Sequence, residues 1–84
     1  MNAEDIETTL LRLVAERGAE GSVHPEEVAR ALAPDGDAWR GLLKPVRAAA
    51  VRLASAGRIV ILRKGRPVDD PHDFRGVYRL SLPA

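Results

Sequence analysis

The sequence predicts an α+β domain, three helices followed by a small antiparallel β-hairpin, on three observations. Residues 4–17 set Ile6, Leu10, Leu13 and Val14 on one helical face. Residues 45–56 repeat that spacing with Val46, Ala49 and Leu53, continue the face from Leu42, and carry basic side chains opposite. The period then changes: Arg58–Arg63 is a β-branched run between Gly57 and Gly65, and in Val77–Leu82 the apolar Tyr78, Leu80 and Leu82 alternate with Val77, Arg79 and Ser81.

Each element has a local cause. Gly18 ends the first helix by supplying a left-handed turn. Gly21-Ser22-Val23 is long enough for a very short strand. His24-Pro25-Glu26-Glu27 opens the second helix, because proline suits the first helical position and carboxylates favour the positive end of the helix dipole. Val28, Ala31 and Leu32 are its expected inner face, and Ala33-Pro34-Asp35-Gly36 stops it. Asp37 is the expected N-cap of a short helical turn through Ala38 to Leu43. Pro45 has no amide to bond back to Gly41, so the helix is expected to kink or restart there. The two strand runs pair across a connection, Lys64–Gly76, that is long for a hairpin and rich in Gly, Pro and Asp. Three helices followed by such a hairpin wing are the order of a winged helix-turn-helix, here a single domain over residues 1–84.

The 84 residues suffice for one compact core and leave little room for a walled catalytic pocket. The absence of cysteine excludes disulfides, thiolate metal sites and a cysteine nucleophile. Met1–Glu7 holds three carboxylates and no apolar run, which does not read as a signal peptide, and Ile59–Leu62 is far too short to span a bilayer. A cytoplasmic domain with no membrane partner is expected.

The net charge of +1 conceals a split. Residues 1–38 hold nine acids and three bases, net −6, while residues 39–84 hold ten bases and three acids, net +7. Such asymmetry orients a domain on a polyanion, unless the two halves pair internally.

Two features carry the candidate chemistry. On the third helix, Lys44, Arg47 and Arg52 accompany the small Ala48 and Val51, so a backbone could approach a groove and cations reach phosphates or guanine edges. At the hairpin turn, Arg63, Lys64 and Arg66 surround Gly65, so a tight turn would present three cations to flanking phosphate. The competing reading is a solvated helix face rich in a good helix former. Asp69, Asp70 and Asp73 follow at once and oppose phosphate binding, unless the loop folds back to pair them with arginines.

Other constellations are explained more simply. Asp69-Asp70-Pro71-His72-Asp73 offers carboxylates and an imidazole but no known ligand spacing, and an Asx turn beside proline accounts for it. His24 with Glu26 and Glu27 is helix-start chemistry, and neither Ser22 nor Ser55 is expected to have a histidine that activates it. No enzyme, metal or cofactor is therefore expected. Three aromatics, Trp39, Phe74 and Tyr78, are too few to stack a single strand, and Trp39 is expected to plug the core between the second and third helices.

Trp39-Arg40-Gly41-Leu42-Leu43-Lys44-Pro45-Val46-Arg47, Leu53-Ala54-Ser55-Ala56-Gly57-Arg58-Ile59 and Lys64-Gly65-Arg66-Pro67-Val68-Asp69 resemble a small bacterial family of winged-helix-like domains of unknown function. Glu26–Leu32 and Gly76–Leu80 resemble it too. The resemblance spans nearly the whole chain and implies the fold, with no activity to carry over. The residues themselves lead to duplex DNA binding, nonspecific or weakly specific and regulatory in role. The alternative is a protein-interaction or dimerisation module, since the strand over Ile59–Leu62 is apolar on both faces.

Overall fold

The computed structural model describes residues 2–83 as an α+β fold of three helices and a small antiparallel sheet. Helix α1 (Ala3–Arg17) starts where Asn2 Oδ1 accepts the Asp5 amide at 2.9 Å, with Glu4 and Asp5 in the first turn. It ends at Gly18, whose φ of 88° suits a residue without a Cβ. Helix α2 (Pro25–Leu32) begins on Pro25, and the His24 amide donates to Glu27 Oε2 at 2.7 Å.

A 3₁₀ turn (Ala38–Leu42) leads into helix α3 (Leu43–Ser55). Pro45 therefore falls in the first turn of α3, where its missing amide has no intrahelical partner to lose, and the chain restarts rather than kinks. The Asp37 side chain does not cap this turn; its Oδ1 lies 3.7 Å from Arg40 Nε.

Strands β1 (Val60–Arg63), β2 (Arg66–Pro67) and β3 (Arg79–Ser81) form the order β2-β1-β3. The expected pairing of the two strand runs is present, with Ile61 opposite Leu80. The short strand expected near Val23 is a single bridge to Leu80, its two backbone hydrogen bonds both 2.8 Å. The long connection contains an additional tight hairpin: Arg63 pairs with Arg66 around Lys64 (φ 53°) and Gly65 (φ 80°). Two consecutive positive φ values match the right-handed twist of flanking strands.

The core joins Ile6, Leu10 and Val14 of α1 to Val46, Ala49, Ala50 and Leu53 of α3, and both to Ile61 and Leu80 of the sheet. Trp39 lies in it as expected, 5% exposed. On α2 the inner face is rotated from the expected one. Val28 and Ala29 are buried, Leu32 is half-buried and Ala31 is exposed, because Ala29 turns inward with Val28. No helix is long and apolar enough to cross a membrane among the described residues.

Candidate functional site

The exposed side of α3 carries Lys44, Ala48 and Ser55, one above another at helical spacing. The two arginines assigned to the same side flank it instead. Arg47 turns towards the loop before β3, its guanidinium carbon 3.8 Å from the Phe74 ring centroid and 5.6 Å from that of Tyr78, while Nη2 donates to the Phe74 carbonyl. Arg52 turns towards α1, where its Nε meets Glu7 Oε2 at 2.7 Å. Both departures have one cause: a partner from a distant segment packs beside the helix and supplies an acceptor.

The hairpin cations divide in the same way. Arg63 folds back to donate to the Val77 carbonyl, and its guanidinium lies so close to Gly76 that a Cβ there would be 3.0 Å from Nη1. Gly76 has φ 87° as well, so two constraints keep it glycine. Lys64 and Arg66 stay exposed at the turn, and with Lys44 they make no ion pair among the described residues.

These cations are nevertheless brought together. Tyr78 lines three grooves of about 490, 410 and 270 Å³. Arg63, Lys64 and Arg79 line the largest, beside Ser22, whose Oγ accepts from Arg79 Nη1 at 3.2 Å. Lys44 and Arg47 line the smallest. The middle groove is apolar, walled by Pro25, Trp39, Leu43 and Val77. Glu26 is the single carboxylate lining any of the three, and Arg30 holds it at 3.0 Å. Burial pushes the Tyr78 phenol above its ordinary pKa, against the opposing charge of Arg47, so it stays a neutral donor at physiological pH.

The acidic loop does not neutralise this surface. Asp69, Asp70 and Asp73 form no ion pair among the described residues. Asp70 Oδ1 accepts the His72 amide at 2.9 Å, the Asx turn expected from the sequence. His72 Nε2 lies 3.0 Å from Ser55 Oγ, so the loop runs along α3 from Ser55 to Arg47. No group of three His, Cys, Asp or Glu side chains suited to a metal ion occurs among the described residues.

Sequence reasoning missed the contribution of Tyr78, Arg79, Leu43 and Val77. The alternation in that strand puts Tyr78 on its inner face and Arg79 on its outer face, and it is the only sequence signal that bears on either. Nothing local to Leu43 or Val77 marks them as sharing a groove.

Fold and site together define a small α+β domain with a cationic surface centred on a buried tyrosine. The chain belongs to the family described as Protein of unknown function (DUF3253), whose model matches residues 3–83. No curated protein is significantly similar to the chain in sequence.

Proposed function

We propose that this domain is a winged-helix module that binds duplex DNA through charge, with little sequence preference. The order of elements supports the winged-helix reading: α1, a bridge at Val23, α2, α3, then β1 and β3 around a long connection that holds its own hairpin. The observation that carries the binding reading is the convergence of Lys44, Arg47, Arg63, Lys64 and Arg79 around Tyr78. Arg47 and Arg63 bond to carbonyls rather than carboxylates, so each keeps its full charge. Arg66 adds to the same hairpin, whereas Arg52 is paired with Glu7 and is left out of the contact set. The reading implies a regulatory role and a cytoplasmic location.

The test is a titration of labelled random-sequence duplex at several salt concentrations. Six phosphate contacts at about 0.9 ions each give a slope near −5.4, or roughly a 1,800-fold loss of affinity for a fourfold rise in salt. Lys44→Gln with Lys64→Gln removes exposed cations without touching a structural hydrogen bond, and lowers the slope by about 1.8. No binding at low salt, or an unchanged slope in the double variant, refutes the proposal.

A further inference from the structure

We infer a second binding function: the apolar groove beside Tyr78 docks an acidic segment of a partner protein, anchored by an apolar side chain. The groove lies between the start of α2, the start of α3 and the segment leading into β3. Leu43 and Val77, 36% and 75% exposed, are the large apolar side chains left open to solvent among the described residues, and both line this groove. Exposed aliphatic side chains from two elements meeting at one depression are what an anchor residue needs on its receiving side.

A second, independent observation lies in the same wall. Trp39 is 5% exposed, and its Nε1–H is the buried side-chain polar atom without a hydrogen-bond partner among the described residues. A buried donor left unmade is costly, and an acceptor on an incoming chain, such as a peptide carbonyl, relieves that cost. Two exposed side chains cover the ring: the guanidinium carbons of Arg30 and Arg40 lie 4.4 and 4.6 Å from its centroid. Both are exposed, and each is also paired with an exposed carboxylate, Arg30 with Glu26 and Arg40 with Asp37.

Charge decides the occupant. Glu26, the carboxylate in the groove, is paired with Arg30, and the unpaired charge beside it is positive: Lys44 and Arg47 line the adjoining groove that shares Pro25, Leu43 and Tyr78. A partner segment with carboxylates flanking an aliphatic or aromatic residue satisfies the rim and the floor together, whereas a DNA backbone has nothing apolar to place against Leu43 and Val77. The inference stands apart from the DNA reading, but the two ligands share Tyr78 and its cations and exclude one another.

Trp39 is the single tryptophan of the chain, so its emission reports the groove directly. The full chain is used to select from a displayed library of random short peptides, and the enriched peptides are synthesised and titrated. Enriched sequences are expected to combine acids with an apolar residue and to shift Trp39 emission. They should bind at least about tenfold more weakly to Val77→Glu and to Leu43→Glu, the loss expected when one aliphatic contact is replaced by a like charge. Val77 is so exposed that its substitution leaves the core intact. Absence of enrichment, enrichment of basic peptides, or binding insensitive to both variants overturns the inference. So does self-association of the chain abolished by Val77→Glu, which would make a second copy the occupant.

Discussion

Arg47→Ala is expected to destabilise the fold before it says anything about binding. The guanidinium sits on the Phe74 ring and hydrogen-bonds the Phe74 carbonyl, which would be left in a partly buried site without a partner. A hydrogen bond to a charged group is worth about 1.5–3 kcal/mol and a cation–π contact about 0.5–2. One half-buried side chain makes both, so they do not add in full, and we expect a loss of about 2 kcal/mol. A domain of this length holds roughly 4–12 kcal/mol in all, and 2 kcal/mol lowers Tm by roughly 8–16 °C. Urea unfolding followed by Trp39 emission measures it, with Arg52→Ala as the internal comparison. Arg52 shares an ion pair whose side chains are 47% and 29% exposed, and its loss should cost under about 1 kcal/mol. A loss at Arg47 no greater than at Arg52 would refute the assignment of Arg47 as the clasp that holds the loop on α3. The comparison also guards the DNA experiment, since a duplex-binding defect in Arg47→Ala is uninterpretable if the protein is partly unfolded.

Three further outcomes follow from the same geometry. Gly21→Ala places a Cβ 2.4 Å from Arg17 Cγ and 2.9 Å from the Arg17 carbonyl oxygen, and because backbone cannot yield as a side chain does, it should cost about 1–3 kcal/mol in the same urea assay. Glu27 has its pKa lowered by the hydrogen bond from Arg17 and then by the His24 amide, so its contribution to stability is present above the unfolded carboxylate pKa and is lost as pH falls through the lower folded value; Glu27→Gln should flatten the acid limb of a stability–pH curve, and an unchanged limb would remove Glu27 from it. Asp69→Asn with Asp70→Asn keeps the Asx turn and should raise duplex affinity about twofold at low salt and not at physiological salt; an equal gain at both would mean that these carboxylates lie against the phosphates.

Much of the fold was legible because its causes are local. Gly18, Pro25 and Gly57 mark helix boundaries through their own backbone chemistry, and the switch from helical to alternating period locates β1 and β3. The turn at Lys64-Gly65 was legible as a tight turn but not as a hairpin with its own strand, since Arg66-Pro67 has no strand character apart from its partner. The candidate site was legible in composition and not in orientation. Arg47, Arg52 and Lys44 read alike along the helix, yet one clasps a carbonyl 27 residues away, one pairs with a carboxylate 45 residues away, and one stays in solvent. A helical wheel separates an inner from an outer face, but it cannot say which outer positions a returning loop will cover. The α2 face failed for a related reason: with alanine at both 29 and 31, hydropathy does not choose between them, and packing against the neighbouring helices does.

The position of the acidic loop separates one of its carboxylates, Asp70, from the N-terminal end of α3. The loop is fixed at both ends of its run along α3, by His72 at Ser55 and by Phe74 at Arg47. Asp70, bonded to the His72 amide, therefore sits at the C-terminal end of the helix, while Lys44 and the groove it lines beside Tyr78 lie at the N-terminal end. Eleven residues of helix separate Lys44 from Ser55, about 16 Å at 1.5 Å per residue. That is twice the screening length of about 8 Å at physiological ionic strength, so the Asp70 carboxylate scarcely weakens the field at Lys44. What the arrangement produces is polarity along α3. On the proposed DNA reading, a polyanion would meet Lys44 at the N-terminal end of α3 rather than Asp70 at the C-terminal end, which would set the direction in which the domain lies on it.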